Sequence, residues 1–193
     1  MKVKIWFAVF LACGMTAAGT AQEGAPALSA ADAQSLKAAM QVIQNELNVV
    51  GRISFVEQKS DAEEKETTDY SEQLSNVVAN PAACAIHYHF WRKMHGEVVN
   101  DEDVSLSLHD FTGVWEMSID EAIKRVAEQE GPVEEGRKND YYDRFVPTVY
   151  MVMMRFANND GDALDFADLK QAQLVGEAMT QAVKLCGGKQ EPF

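Results

Sequence analysis

The sequence predicts an α+β fold, in which mostly antiparallel strands form a curved sheet or a partly open barrel with a helix near each end of the chain. Apolar residues recur every three or four positions in the two outer segments, as on one face of a helix, and alternate with polar residues in several segments between them. Short polar turns join these segments, which favours antiparallel pairing because parallel strands need long crossover connections. With 193 residues, 47% of them hydrophobic, the chain can bury one core, so we expect a single domain over residues 29–193.

The N-terminal helix and the strands after it are predicted from local signals. Ser29 and Asp32 form a capping box at the start of the helix, and Gly51 ends it. The apolar stripe of this helix comprises Leu36, Met40, Ile43, Leu47 and Val50. Strands are predicted over residues 52–58, 67–80, 84–92 and 104–111. We interpret residues 96–103 as an acidic loop before the fourth strand.

The second half of the chain predicts a further helix, two strands and a terminal helix. Ser118 and Glu121 form a second capping box. Strands are predicted over 144–156 and 162–166, with a tight turn at 159–161 between them. The last helix begins at about Asp168, which we interpret as its N-cap, and ends at Cys186.

The first 21 residues are typical of an export signal. Lys2 and Lys4 precede an apolar run over 5–12, and small residues follow at 17–21. We therefore predict a signal peptide over 1–21, a linker over 22–28, no transmembrane span after processing, and a periplasmic or extracellular location. The alternative is a membrane-anchored lipoprotein, because the residues that end at Cys13 resemble a lipoprotein box and make Cys13 a possible lipidation site; Phe10 departs from that pattern.

The cysteines predict a disulfide bond. There are three in the sequence, and either processing route takes Cys13 out of the folded domain. Cys84 and Cys186 remain, in a compartment where thiols oxidise, so we expect them to pair. The alternative is that Cys84 is a nucleophile activated by the nearby histidines.

The charge of the chain limits its partners. There are 17 Lys and Arg residues against 30 Asp and Glu residues, a formal net charge of −13. A protein that binds nucleic acid or anionic lipid needs a basic face, so both classes of partner are disfavoured. A basic protein partner fits the charge, but high net charge also serves solubility alone.

The segment 84–95 raises the question of a metal site. On a strand, Ile86, Tyr88 and Phe90 share one face, and we expect that face to be the core side. His87 and His89 then lie together on the outer face. If the next strand pairs with this one, His109 supplies a third nitrogen for zinc or another divalent transition metal, as such sites require. The alternative is a solvated sheet face that happens to carry histidines.

No catalytic motif accompanies these residues. The sequence has no His-Glu-x-x-His, no Gly-x-Ser-x-Gly and no glycine-rich phosphate loop. We therefore expect an exported, non-enzymatic domain that binds an unidentified protein or small ligand without a cofactor. The alternatives are a metal-binding protein that uses His87 and His89, and an inhibitor of a basic envelope enzyme.

Overall fold

The computed structural model describes residues 28–60, 65–122, 124, 143–158 and 160–188. The predicted signal peptide, nearly all of the predicted linker and Cys13 lie outside these ranges. The elements in chain order are α1 (Ala30–Val50), β1 (Arg52–Ser60), β2 (Lys65–Asn80), β3 (Ala85–Met94), β4 (Glu97–Ser107), a 3₁₀ turn (Leu108–Asp110), β5 (Phe111–Ser118), β6 (Asp143–Val146), β7 (Tyr150–Phe156), β8 (Gly161–Phe166) and α2 (Leu169–Leu185).

The strands form two antiparallel sheets. The large sheet has five strands in the order β4-β3-β2-β1-β6, and the small sheet has three in the order β5-β7-β8. The α+β class, the antiparallel pairing and the two terminal helices are confirmed. The predicted curved sheet or partly open barrel is replaced by two separate open sheets that do not close into a barrel.

Both terminal helices begin at the predicted caps. At α1 the Ser29 side chain accepts a hydrogen bond from the backbone N–H of Asp32 at 3.1 Å. At α2 the carboxylate of Asp168 accepts one from the N–H of Gln171 at 3.0 Å. Each cap satisfies a donor that the first turn of a helix leaves unpaired. Of the predicted apolar stripe of α1, all but the half-buried Val50 are buried.

The central strand of the small sheet, β7, has apolar neighbours on both of its faces. On β7, Val152 and Met154 pack into the main core, which also holds α1 and α2. Met151 and Met153, which alternate with them, belong to a second apolar cluster with Ile53 on β1 of the large sheet. Because both faces of β7 contact apolar neighbours, its sequence is almost continuously hydrophobic. The small sheet therefore lies between α2 and the inner face of the large sheet.

The predicted acidic loop at 96–103 is wrong. Residues 97–107 form β4, which pairs with β3 over the whole of that strand. Acidic composition indicated a solvated loop, but β4 is the edge strand of the large sheet, where charged residues are common because one side of the strand has no neighbour. Within β4, Glu102 and Val104 face the same side, while Asp101 and Asp103 face the other.

Two further strand predictions are corrected. The predicted strand 144–156 is two strands in different sheets, β6 and β7, separated by a segment that begins at Pro147, whose peptide bond with Val146 is cis. Proline has no N–H to donate to a ladder, which suits the end of one strand and the start of a turn. The predicted strand 104–111 ends at Ser107, and β5, a strand that the pattern did not predict, begins at Phe111.

The predicted disulfide is present. The sulfur atoms of Cys84 and Cys186 lie 2.04 Å apart, and the two residues are separated by 102 positions in the chain. Both cysteines are buried. The bond fixes the end of α2 against the start of β3, so it links the terminal helix to the large sheet within the main core.

We expect replacement of both cysteines by serine to lower the free energy of unfolding by roughly 2–5 kcal/mol, because a closed loop of this length restricts the unfolded chain strongly. Urea unfolding followed by circular dichroism measures the change. The two single variants are the controls: each already breaks the bond, so the double variant should lose little more than either. Unfolding midpoints equal to that of the unaltered protein would contradict the prediction.

Candidate functional site

The faces of β3 are confirmed. Ile86 and Tyr88 are buried and Phe90 is half-buried against the main core. His87 is exposed on the opposite face, and the side chain of His89 is 32% exposed there. The histidines therefore point away from the core, as the period-2 alternation predicts.

The structure does not bring the three predicted metal ligands together. In the β3–β4 ladder, His87 pairs with Ser105 and His89 pairs with Asp103. His109 lies beyond the end of β4, in the 3₁₀ turn, and so stands opposite neither of them. Among the described residues, no group of three or more His, Cys, Asp and Glu side chains has the arrangement of a metal site.

His89 is instead held between two carboxylates. Its Nδ1 lies 3.0 Å from Asp103 Oδ1 and its Nε2 lies 2.9 Å from Asp101 Oδ1. The hydrogen bond with Asp103 is the main cause that raises the pKa of His89, and the charge of Asp101 adds to it. Both ring nitrogens donate in the imidazolium form, which leaves no lone pair for a metal ion.

A cavity of about 650 Å³ lies on the inner face of the large sheet. Its walls come from β2, β3 and β4 on one side and from β8 of the small sheet on the other. The deep part is apolar, with Leu74, Tyr88 and Leu164 all buried. The open end is acidic, since Glu102 and Asp162 are both exposed there.

Strand register brings the polar part of the cavity together. Arg92 continues the inward alternation of β3 after Phe90, and it pairs with Glu72 on β2 and with Asn100 on β4. Glu72 pairs in turn with Ile53 on β1, so one row of inward side chains crosses four strands. The inner face thus changes from apolar to charged along β3.

Glu72 and Arg92 form an ion pair inside the cavity. Arg92 Nε lies 2.5 Å from Glu72 Oε1, and Glu72 is only 4% exposed. The arginine also lies over the ring of Phe90, with its guanidinium carbon 5.2 Å from the ring centre. Neither Glu72 Oε1 nor Arg92 Nε makes a well-directed hydrogen bond to a described residue, so charge attraction holds the pair. Burying a carboxylate is costly unless an opposite charge lies beside it, and Arg92 supplies that charge here.

Asp165 completes the polar cluster from the small sheet. Burial raises the pKa of Asp165 to about 8, and the charge of Glu72 and its hydrogen bond to Asp165 act in the same direction; Arg92 opposes them. The single guanidinium of Arg92 cannot compensate two neighbouring carboxylates, so ionising both Glu72 and Asp165 would cost free energy. Asp165 therefore keeps its proton at neutral pH. Asp162 is exposed as a residue, but partial desolvation of its carboxyl group is the main cause that raises its pKa.

The hydroxyl of Tyr88 faces this acidic end. Burial raises the pKa of Tyr88 well above its ordinary value, and the charges of Asp162 and Glu102 add to the effect. The hydroxyl therefore stays protonated and lies near these two carboxylates. Tyr88 is 5% exposed, and its hydroxyl makes no hydrogen bond to any residue within the described ranges.

The sequence patterns did not indicate this cavity. Asp165 lies in the predicted strand 162–166, and nothing in its local pattern shows that it meets charged residues of another sheet. Arg92 and Glu72 each lie on the inward face of their strand by simple alternation, which is the one signal that distinguishes them from surface charges. A charged residue at a core-facing strand position is unusual enough to mark a site.

Comparisons of the chain with protein-family models, with curated proteins and with solved structures found no match. Within the described ranges, no helix combines the length and the hydropathy that a membrane span needs.

We expect Asp103→Asn to lower the pKa of His89, because the substitution removes the hydrogen bond that is the main cause of its elevation. The titration of the His89 ring protons by NMR measures the value directly. Asp110→Asn, which changes an exposed aspartate of the 3₁₀ turn, is the matched control and should leave the titration unchanged. An unaltered His89 pKa in Asp103→Asn would contradict the assignment.

We expect the free energy of unfolding to fall as the pH rises from about 4 to about 8. Asp165 keeps its proton in the folded protein up to about pH 8, whereas the unfolded chain loses it near pH 4. The folded state therefore binds more protons in this window, and each pH unit costs up to roughly 1 kcal/mol. Denaturant unfolding at a series of pH values measures the slope.

The substitution Asp165→Asn should flatten this slope, because an amide does not titrate. Asp110→Asn should keep the slope of the unaltered protein, since its carboxylate is exposed on the 3₁₀ turn. If Asp165→Asn and Asp110→Asn show the same pH dependence, the assignment of the proton to Asp165 is wrong.

Proposed function

We propose that this protein binds a small molecule in the cavity between its two sheets and catalyses no reaction. The observation that carries the proposal is the cavity itself, at about 650 Å³ with a buried apolar part and a polar open end. Sites for small molecules are typically about 300–1,000 Å³ and combine apolar walls with a few polar groups that orient the ligand.

The size of the cavity supports an occupant. Protein interiors are close-packed, and voids larger than a water molecule are few because each one forfeits dispersion contacts. The main core obeys this rule, with many completely buried side chains such as Ile43, Phe111 and Phe166. The cavity differs from this core because it opens to solvent at one end, so a ligand can enter it, displace water and gain contacts with the apolar wall.

The state of the carboxyl groups favours binding over catalysis. Glu72 is neutralised by Arg92 and is 4% exposed, so it is poorly placed to act as a base on a substrate. The metal-binding alternative lacks a third ligand beside His87 and His89 among the described residues. The inhibitor alternative still depends on the net charge of −13 alone.

We further propose that the protein acts outside the cytoplasm. The predicted export signal over 1–21 supports this location, and so does the Cys84–Cys186 disulfide, because such bonds persist in oxidising compartments. Signal-peptide cleavage gives a free periplasmic or extracellular protein, and lipidation of Cys13 gives an anchored one. In either case the cavity would sample ligands from the periplasm or the medium.

We expect N-phenyl-1-naphthylamine, a neutral apolar dye, to bind the purified protein at a one-to-one ratio with enhanced fluorescence. Val99→Trp should weaken this binding at least several-fold, because Val99 lines the cavity near its open end and a larger side chain obstructs it. Val98→Trp is the matched control: Val98 is the neighbouring residue, it is similarly exposed (53% against 45%), and it does not line the cavity.

Dye binding that is absent, or that both variants weaken equally, would overturn the proposed function. Circular dichroism of the two variants shows whether each is folded. Because both substitutions are at exposed positions of an edge strand, loss of folding is not expected.

A further inference from the structure

We infer that the cavity selects an organic cation: a primary ammonium group on an apolar body, with the ammonium at Glu102, Asp162 and Tyr88 and the body against the deep apolar wall. This inference rests on the proposed function, because it names the chemical class of the ligand for the same cavity.

The charge balance of the cavity favours a cation. Four carboxyl groups line it, on Glu72, Glu102, Asp162 and Asp165, and Arg92 is the one basic residue among the described lining residues. Arg92 is engaged by Glu72 at 2.5 Å. Glu102 accepts a hydrogen bond from the neutral amide of Asn100 at 3.1 Å rather than a charge. An anionic ligand would therefore meet net repulsion, and a cation would meet net attraction.

The Tyr88 hydroxyl is a second and independent indication of a ligand. Tyr88 is only 5% exposed and its hydroxyl makes no hydrogen bond to a described residue, yet the oxygen is not among the fully buried unpaired atoms, so it is open to the cavity and available to a ligand. It lies near Glu102 and Asp162, whose charges act on it. A primary ammonium has three N–H donors, which matches two carboxylates and one phenolic oxygen.

The position of the apolar wall sets the orientation of the ligand. Leu74 and Leu164 are 8% and 3% exposed, whereas Glu102 and Asp162 are exposed at the open end. A ligand with its charge at one end fits both regions of the cavity: its apolar body packs against Leu74 and Leu164, and its ammonium lies near the solvent at the acidic end. A molecule that is charged along its whole length would leave charge against the apolar wall, which is costly.

Cation binding should also release a proton. Asp165 holds its proton because it is desolvated beside Glu72, and the charge of Asp162 acts in the same direction. Arg92 alone favours its ionisation. Glu102 is the remaining acidic residue of the cavity and lies at its open end. An added positive charge nearby favours the ionised form of Asp165, as Arg92 already does. The balanced step is that the Asp165 carboxylic acid gives a carboxylate and one proton, which passes to the buffer, while the ammonium stays at Glu102 and Asp162.

The test compares three probes of one chain length, hexylamine, hexan-1-ol and hexanoate, as competitors of N-phenyl-1-naphthylamine at pH 7. We expect hexylamine to bind at least roughly tenfold more tightly than hexanoate, with hexan-1-ol between them. Equal competition, or a preference for hexanoate, would overturn the cation inference while the dye signal leaves the proposed function intact. If the dye and all three probes fail to bind, the proposed function falls as well.

Variants assign the effect to named residues. Asp162→Asn and Glu102→Gln should weaken hexylamine several-fold and leave hexan-1-ol unchanged, while Asp110→Asn, outside the cavity, should change neither. Calorimetry of hexylamine in buffers of different ionisation enthalpy should show proton release, which Asp165→Asn abolishes. Weakening of both probes by the same factor, or release that survives Asp165→Asn, would overturn the inference.

Discussion

The ion pair between Arg92 and Glu72 is the constraint on which the interior of this protein depends. Both residues lie on the inward face of the large sheet, at paired positions of β3 and β2. A charged pair at such a place cannot be covered by apolar side chains without a desolvation cost that its own attraction barely offsets. The small sheet therefore packs against an apolar part of that face, through Met151 and Phe55, and a cavity remains where the face becomes charged.

The proton on Asp165 is a consequence of the same pair. One guanidinium compensates one carboxylate, and Glu72 already occupies Arg92 at 2.5 Å. Strand β8 places a second carboxyl group, that of Asp165, beside this pair. Keeping Asp165 protonated and hydrogen-bonded to Glu72 costs less free energy than ionising it, so its pKa is raised to about 8. The proton on Asp165 therefore follows from burial and from the number of charges that meet in the cavity.

Local and non-local features differ in how far the sequence predicts them. The caps at Ser29 and Asp168 and the two faces of β3 depend on spacings of two to four residues, and all are confirmed. The disulfide was predictable because only two cysteines remained to pair. The cavity was not, because Asp165 meets Glu72 only through the packing of one sheet on another, and no short pattern encodes that packing. The strand status of β4 was missed for a related reason, since the charges that indicated a loop are tolerated at a sheet edge.

The same strand pair shows why acidity alone does not make a binding site. On the outer face, Asp101 and Asp103 both contact the His89 ring, so these two carboxylates already have a partner within the protein. Water surrounds that face, so at physiological ionic strength its field is largely screened beyond about 8 Å and selects little. One residue along β4, Glu102 faces the other way, toward a space with low-dielectric walls in which each uncompensated charge acts more strongly. A chain with a net charge of −13 therefore carries two kinds of acid: the outer residues serve solubility, and the few that alternate inward are the ones able to discriminate between ligands by charge.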